Sequence, residues 1–438
     1  MSETKPSSPV TTPPDSGGPG ENAGPASTGA RWPLPEETFW SEQTDPHGVL
    51  PGPAAPGATD GPEASTTTDD RPAGAPEKTP GTAPTAPRKA PGGPEKQAKP
   101  GAQQEPPRRK RDPYLDNVKF LLIALVPIGH ALVPTLDADS SRAAYIFIYT
   151  FHMPLFVIIS GYLSRNFWNS NAKTNKLVDT FVVPYVIVEV GYAALRTALG
   201  QKWSLTIIDP AWLNWYLLAL LFWRLSTPVW KRMKYPVPVA IAIYLFAGYS
   251  QISGDFSMDR FFGLMPFFVI GLIMQPEHFD LLNRRWIKIV SLVVLASAAA
   301  VAVYIAPKAT LKPFYFKHSY QDMDLSWWMG LGVRTGLLVC SLAVCFAVLA
   351  LVPRGETWYS DLGTRTLYCY LLHGIPVLIA KEKGWLELPW LHGPLGVLAI
   401  SSSCFALAIV LCLPETRTVF KWVLEPRLTW LYRRPSGS

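Results

Sequence analysis

The pattern of apolar and polar positions divides the chain near residue 110. From Met1 to Pro107 no apolar run develops, and blocks such as Pro51-Gly52-Pro53 and Ala90-Pro91-Gly92-Gly93-Pro94 recur. Such a segment cannot bury enough apolar surface to offset its chain entropy, so residues 1–110 are expected to be a disordered Pro/Gly/Ala-rich cytoplasmic tail. Its Arg31-Trp32-Pro33-Leu34 to Phe39-Trp40 island is the one candidate docking motif for a protein partner. Beyond the tail, long apolar runs alternate with short loops. A span needs about 20 apolar residues to cross ~30 Å of hydrocarbon. That ruler predicts about ten spans, near 115–134, 144–164, 177–199, 211–229, 237–250, 260–275, 286–305, 327–352, 364–380 and 394–413. The fifth and sixth are short and are open to a re-entrant, tilted or merged arrangement. The predicted fold class is all-α: a polytopic membrane helix bundle over 111–430, followed by a short cytoplasmic tail, 431–438.

Loop charge gives this pattern a direction. Arg165, Lys173 and Lys176, then Lys231, Arg232 and Lys234, then Arg284, Arg285 and Lys288 mark one set of loops. The alternate loops carry Asp137 and Asp139, Asp209, and Asp255 and Asp259. By the positive-inside rule both termini are expected in the cytoplasm, with Arg108-Arg109-Lys110-Arg111 as the first anchor of a multi-pass protein of the inner or plasma membrane. The loop with Lys308, Lys312 and Lys317 breaks the alternation, and Asp322 and Asp324 balance it only in part.

Composition then removes several function classes. The formal net charge is +7, but Lys and Arg gather at span ends, which points to a lipid bilayer and away from nucleic acid. All 5 cysteines (Cys340, Cys345, Cys369, Cys404, Cys412) fall in apolar segments, so neither a disulfide nor a metal cluster is expected, nor any prosthetic group. Ser2-Glu3-Thr4-Lys5 leads into prolines, so no cleaved signal peptide is expected.

Ionisable side chains inside spans are costly and therefore candidates for function. The first span holds Lys119 and His130, which share one helical face about 16 Å apart, with Asp116 placed to pair with Lys119. Counting inward along the second span puts His152 at a depth similar to His130. His373 lies near the middle of the ninth span. Each histidine can also be read as a polar tether between helices. Glu189 in the third span and Arg334 in the eighth are the other buried charges. Arg334 needs an anion, either a carboxylate such as Glu189 or a ligand phosphate, or else carbonyls that fix helices. His47, His278, His318 and His392 fall in loops or the tail and receive no role.

In order along the chain, several blocks resemble the acyltransferase-3 family of integral-membrane O-acyltransferases, and most closely its fucose 4-O-acetylase-like branch. They are Leu115-Asp116-Asn117-Val118-Lys119 through Gly129-His130, Phe151-His152-Met153-Pro154-Leu155-Phe156 and Ser160-Gly161-Tyr162. Pro184-Tyr185, Trp215-Tyr216-Leu217-Leu218, Pro266-Phe267-Phe268 through Gly271, and Leu362-Gly363 through Tyr370-Leu371-Leu372-His373 follow. The resemblance implies transfer of an acyl group, acetyl from cytoplasmic acetyl-CoA, to a hydroxyl of a cell-envelope carbohydrate or glycoconjugate. It implies that His130 is the essential histidine, as base or acyl acceptor, with Lys119 its basic partner and His152 close by. Asp116, Arg334, Trp215, His373 and Glu189 are then candidates for holding substrate or donor. A sugar hydroxyl needs a base of near-neutral pKa before it attacks, which suits histidine. A transporter or flippase of a glycan-type solute, working without covalent chemistry, is the competing expectation, although no internal repeat supports it. A scaffold role for the tail is the other.

Overall fold

The computed structural model describes residues 112–169, 181–210 and 213–425, together with residue 177, and all of these belong to one compact unit. The N-terminal tail with its aromatic island, the basic tetrad Arg108–Arg111, Lys173, Lys176 and the stretch 431–438 lie outside the described residues. All regular secondary structure among the described residues is helical, with no strand among them.

Helix α1 (Pro113–Ala131) starts at a strong signal: Asp112 accepts the Tyr114 amide as N-cap, and Pro113 occupies the first turn where its missing N–H costs nothing. The chain turns over Val133–Thr135 and returns as α2 (Asp139–Leu163). Next come α3 (Val183–Ala198), α4 (Trp215–Arg232), the short apolar α5 (Pro236–Ala247) and α6 (Met258–Ile273). The remainder comprises α7 (Pro276–Leu282), α8 (Arg285–Ile305), α9 (Trp327–Leu351), α10 (Thr366–Leu372), α11 (Gly374–Glu382), α12 (Pro394–Leu411) and α13 (Pro414–Leu424).

Six helices among the described residues are long and apolar enough to cross a membrane: Pro113–Ala131, Asp139–Leu163, Asp255–Ile273, Arg285–Ile305, Trp327–Leu351 and Pro394–Leu411. The sixth expected span is thus a full-length one, and the fifth is the 12-residue α5. Helix α3, with 16 residues, is shorter than the six, and α4 matches their length but carries Arg224, Lys231 and Arg232. The ninth expected span, 364–380, is corrected: it is two short helices, α10 and α11, that meet at His373. Pro376 explains the break, since its missing N–H leaves the Leu372 carbonyl without its helical donor.

Helices α1 and α2 form the centre. Glycines set the closest approaches: a Cβ on Gly161 would lie 2.1 Å from the Phe268 carbonyl oxygen, and one on Gly271 1.9 Å from that of Ile158. This reciprocal contact brings α2 and α6 backbone to backbone, as small residues do in bilayers where dispersion replaces hydrophobic drive. Gly363 does the same against α1, its missing Cβ making room for the Asp116 carbonyl. The side of the bundle where α1 begins, near Phe279 of α7 (rings of Tyr114 and Phe279 5.9 Å apart), is called the entry face below. The opposite side, with the 306–326 loop, is the far face.

Candidate active site

The last turn of α1 carries His130 and the α10–α11 junction carries His373. Both are fully buried, and their rings stack at a centroid distance of 5.3 Å and an interplanar angle of 28°. Residues 243 positions apart in sequence therefore form one pair of imidazoles. The His373 Nδ1 lies 2.8 Å from the carbonyl oxygens of both Cys369 and Tyr370. Carbonyls only accept, so Nδ1 carries the proton and Nε2 is the acceptor nitrogen. The ring thus engages two carbonyls of α10 at the point where that helix is interrupted.

His152 stands near this pair by way of Tyr149. A Cβ on Gly129 would lie 2.9 Å from the Tyr149 ring, and the Tyr149 ring meets His152 edge-on at 4.7 Å. His152 sits one turn further along α2 than Tyr149, within about a turn of the level of His130. Its Nδ1 donates to the Ile148 carbonyl at 2.8 Å, which again makes Nε2 the acceptor nitrogen. Above it, Tyr145 stacks on Tyr149 at 3.7 Å, and the Tyr145 hydroxyl lies 3.3 Å from that of Tyr315 in the far-face loop. A column of aromatic side chains thus runs from the far face to His152. Sequence reasoning missed it. The Tyr145–Tyr149–His152 spacing was a usable signal, because steps of four and three share a helix face. Tyr315 gave none, being brought in from a loop 163 residues beyond His152.

Lys119 and Asp116 are ion-paired at 2.7 Å near the entry face, both buried. The backbone there is pinned by Asn117, whose Nδ2 donates to the carbonyls of Pro353 and Gly355 at 2.9 Å each. Its Oδ1 accepts from Thr357 and Ser360 at 2.9 and 2.6 Å. Lys119 and His130 remain on one face of α1, separated by about 16 Å of rise, too far apart to meet in one reaction centre.

The remaining candidates separate from the histidines. Arg334 donates to the Tyr244 carbonyl and, at 2.8 Å, to that of His318, and its guanidinium lies over the rings of Tyr244 (5.0 Å) and Tyr320 (5.5 Å). Of the partners open to Arg334, the described structure gives it carbonyls and not Glu189, whose carboxylate accepts from Asn214 Nδ2 at 3.1 Å. Arginine is satisfied by carbonyls and ring faces here because α5 and the 306–326 loop both end against α9. Trp215 opens α4 beneath the Arg260 guanidinium, 4.8 Å from its ring centroid. Asn214 Oδ1 and Trp215 Nε1 are buried with no hydrogen-bond partner among the described residues. Tyr370 and Tyr192 tie this group to the histidine segment, donating to the carbonyls of Leu213 at 3.2 Å and Leu371 at 3.0 Å. Among the described residues no group of three or more His, Cys, Asp or Glu is placed to hold a metal ion.

A family model described as an acyltransferase domain, that of the acyltransferase-3 family, matches residues 112–413, more than half of the chain. No curated protein and no solved structure matches the chain.

Proposed function

Because the chain belongs to the acyltransferase-3 family, we propose that this membrane acyltransferase moves acetyl from acetyl-CoA at the entry face to a carbohydrate hydroxyl, with His130 as the base. The single observation that carries this reading is the buried His130–His373 stack, with His373 held in one tautomer by two carbonyls. A buried, pre-oriented imidazole pair is suited to moving a proton where water does not compete.

In the step itself, the acceptor oxygen attacks the thioester carbonyl carbon. A C–O bond forms, the C–S bond breaks, the hydroxyl proton passes to His130, and CoA leaves as the thiolate. His373, stacked on His130, holds that ring in place as it gains charge. His152 supplies a second acceptor nitrogen close by. Lys119 stands toward the donor side, on the same face of α1. On this reading the entry face and both termini lie in the cytoplasm of a cell-membrane protein, which the basic loops support, and donor and acceptor approach from opposite faces. The acceptor is a cell-envelope glycan or glycoconjugate.

The test uses the full chain in nanodiscs with acetyl-CoA and extracted envelope glycans, following CoA release and the acetyl mass gained by the glycan. The expected result is acetyl transfer that His130→Ala lowers by about 10²–10⁴-fold, the range for a general base. Acetyl found on His130 after a denaturing quench would replace the base role with that of acyl carrier. Solute movement across vesicles with no CoA release, unaffected by His130→Ala, would establish the transporter instead.

A further inference from the structure

The loop between α8 and α9 departs from the charge rule that the other loops follow. It carries Lys308, Lys312 and Lys317 on the far face, where the alternation of charge calls for acidic residues. The same loop sets Tyr315 on the Tyr145–Tyr149 column that ends at His152. Its lysines therefore flank the far-face end of that column. Arg142 reaches this loop from α2 through the Ala309 carbonyl, and Arg334 reaches it through the His318 carbonyl.

The field inside this loop can be read from His318. Burial, the largest cause, and the neighbouring Lys317, Arg260 and Lys312 hold its imidazole down at about 4, against the opposing pull of Asp322. Carboxylates do face the cluster. Asp322 accepts from the Ser319 amide at 3.0 Å and from Gln251 at 3.1 Å, Asp324 meets Lys312 at 3.6 Å, and Asp259 meets Arg260 at 3.6 Å, with Asp209 close to Asp259. Within the loop itself three lysines stand against two aspartates, Asp322 and Asp324, and Lys312 is half-exposed. A local excess of cations raises the concentration of an anion at the surface and slows its escape.

We propose that the far-face loop is the acceptor's recognition element, and that the acceptor is an anionic glycan, one bearing a carboxylate or phosphate within reach of Lys312 and Lys317. This rests on the acyl-transfer reading for its biological use, though the binding itself does not depend on it. Tyr315, only partly buried at the far-face end of the column, offers its ring to the sugar, and the lysines take its charge.

The test is equilibrium binding to the full chain in neutral phosphatidylcholine nanodiscs. The probes are galactotriose, trigalacturonate and a galactotriose carrying one phosphate monoester. The expected result is that one or both charged probes bind about tenfold more tightly than galactotriose at low salt. That preference shrinks as salt rises and is erased by Lys312→Glu with Lys317→Glu. The carboxylated and phosphorylated probes tell the two sources of charge apart. Equal binding of all three, or a preference that survives charge reversal, overturns the proposal. A lipid headgroup is the occupant instead if the probes show no preference while phosphatidylglycerol binds at these lysines in mixed-lipid discs. Should the double reversal fail to fold, Lys312→Gln and Lys317→Gln singly must each remove part of the preference. CoA release in the same discs judges acyl transfer separately: the charge preference with no CoA release would sink the acyltransferase reading and leave the anionic site standing.

Discussion

His130 and His373 stack ring on ring, 5.3 Å between centroids, although one ends the first helix and the other breaks the segment near the end of the bundle. Groups that act as one unit show strongly non-additive losses. His130→Ala and His373→Ala are each expected to lower kcat/KM for acetyl transfer, and the double variant to be no worse than the more damaging single. Fully multiplicative losses would show that the two rings act independently.

The Lys119–Asp116 pair is buried, so removing one partner strands a charge. Lys119→Met alone and Asp116→Asn alone are each expected to destabilise by about 3–5 kcal/mol. The combined variant recovers most of that. Thermal melts followed by tryptophan fluorescence in detergent report it, and a double variant as unstable as the singles would mean that the pairing is not what matters.

Gly161 and Gly271 meet the backbone of the opposite helix, where no flexible side chain can yield. Gly161→Ala is expected to cost about 1–3 kcal/mol by overpacking, with Gly271→Ala similar. Their effects are sub-additive because both widen one α2–α6 crossing. A melting temperature unchanged in either variant contradicts the crossing.

His318 is held neutral, its folded value near 4 against 6.5 for a free histidine. The unfolded chain binds the proton more readily between these values, so the stability from a neutral His318 is present above about 6.5 and lost as pH falls toward 4. Wild type should lose melting temperature over that window, and His318→Gln should lose less. Parallel pH profiles for the two would remove His318 as a contributor.

Arg334 spends its donors on the Tyr244 and His318 carbonyls, as a residue that fixes helices does. Arg334→Met is expected to lower the melting temperature while leaving the KM for acetyl-CoA unchanged in the protein that remains folded. A raised KM without loss of stability would return Arg334 to donor binding.

Local pattern was enough for much of this molecule. The apolar runs located the long helices, and a spacing of three placed Asp116 against Lys119. These depend on the helical repeat and on nearest neighbours, which a linear sequence displays. The histidine site did not. His130, His152 and His373 were each visible as costly residues in apolar segments, but the stacking of the first and third depends on how α10 packs against α1, around a glycine whose missing side chain admits a carbonyl. Arg334 shows the same limit from the other side: a buried guanidinium announces that it needs partners, and only the packed backbone decides whether these are carboxylates or carbonyls. The sequence by itself determined the long apolar helices and the short list of charged groups within them. Tertiary structure alone decided which of those groups meet, because contacts between distant segments depend on helix crossings set by small residues and loop closure, terms that no local periodicity records.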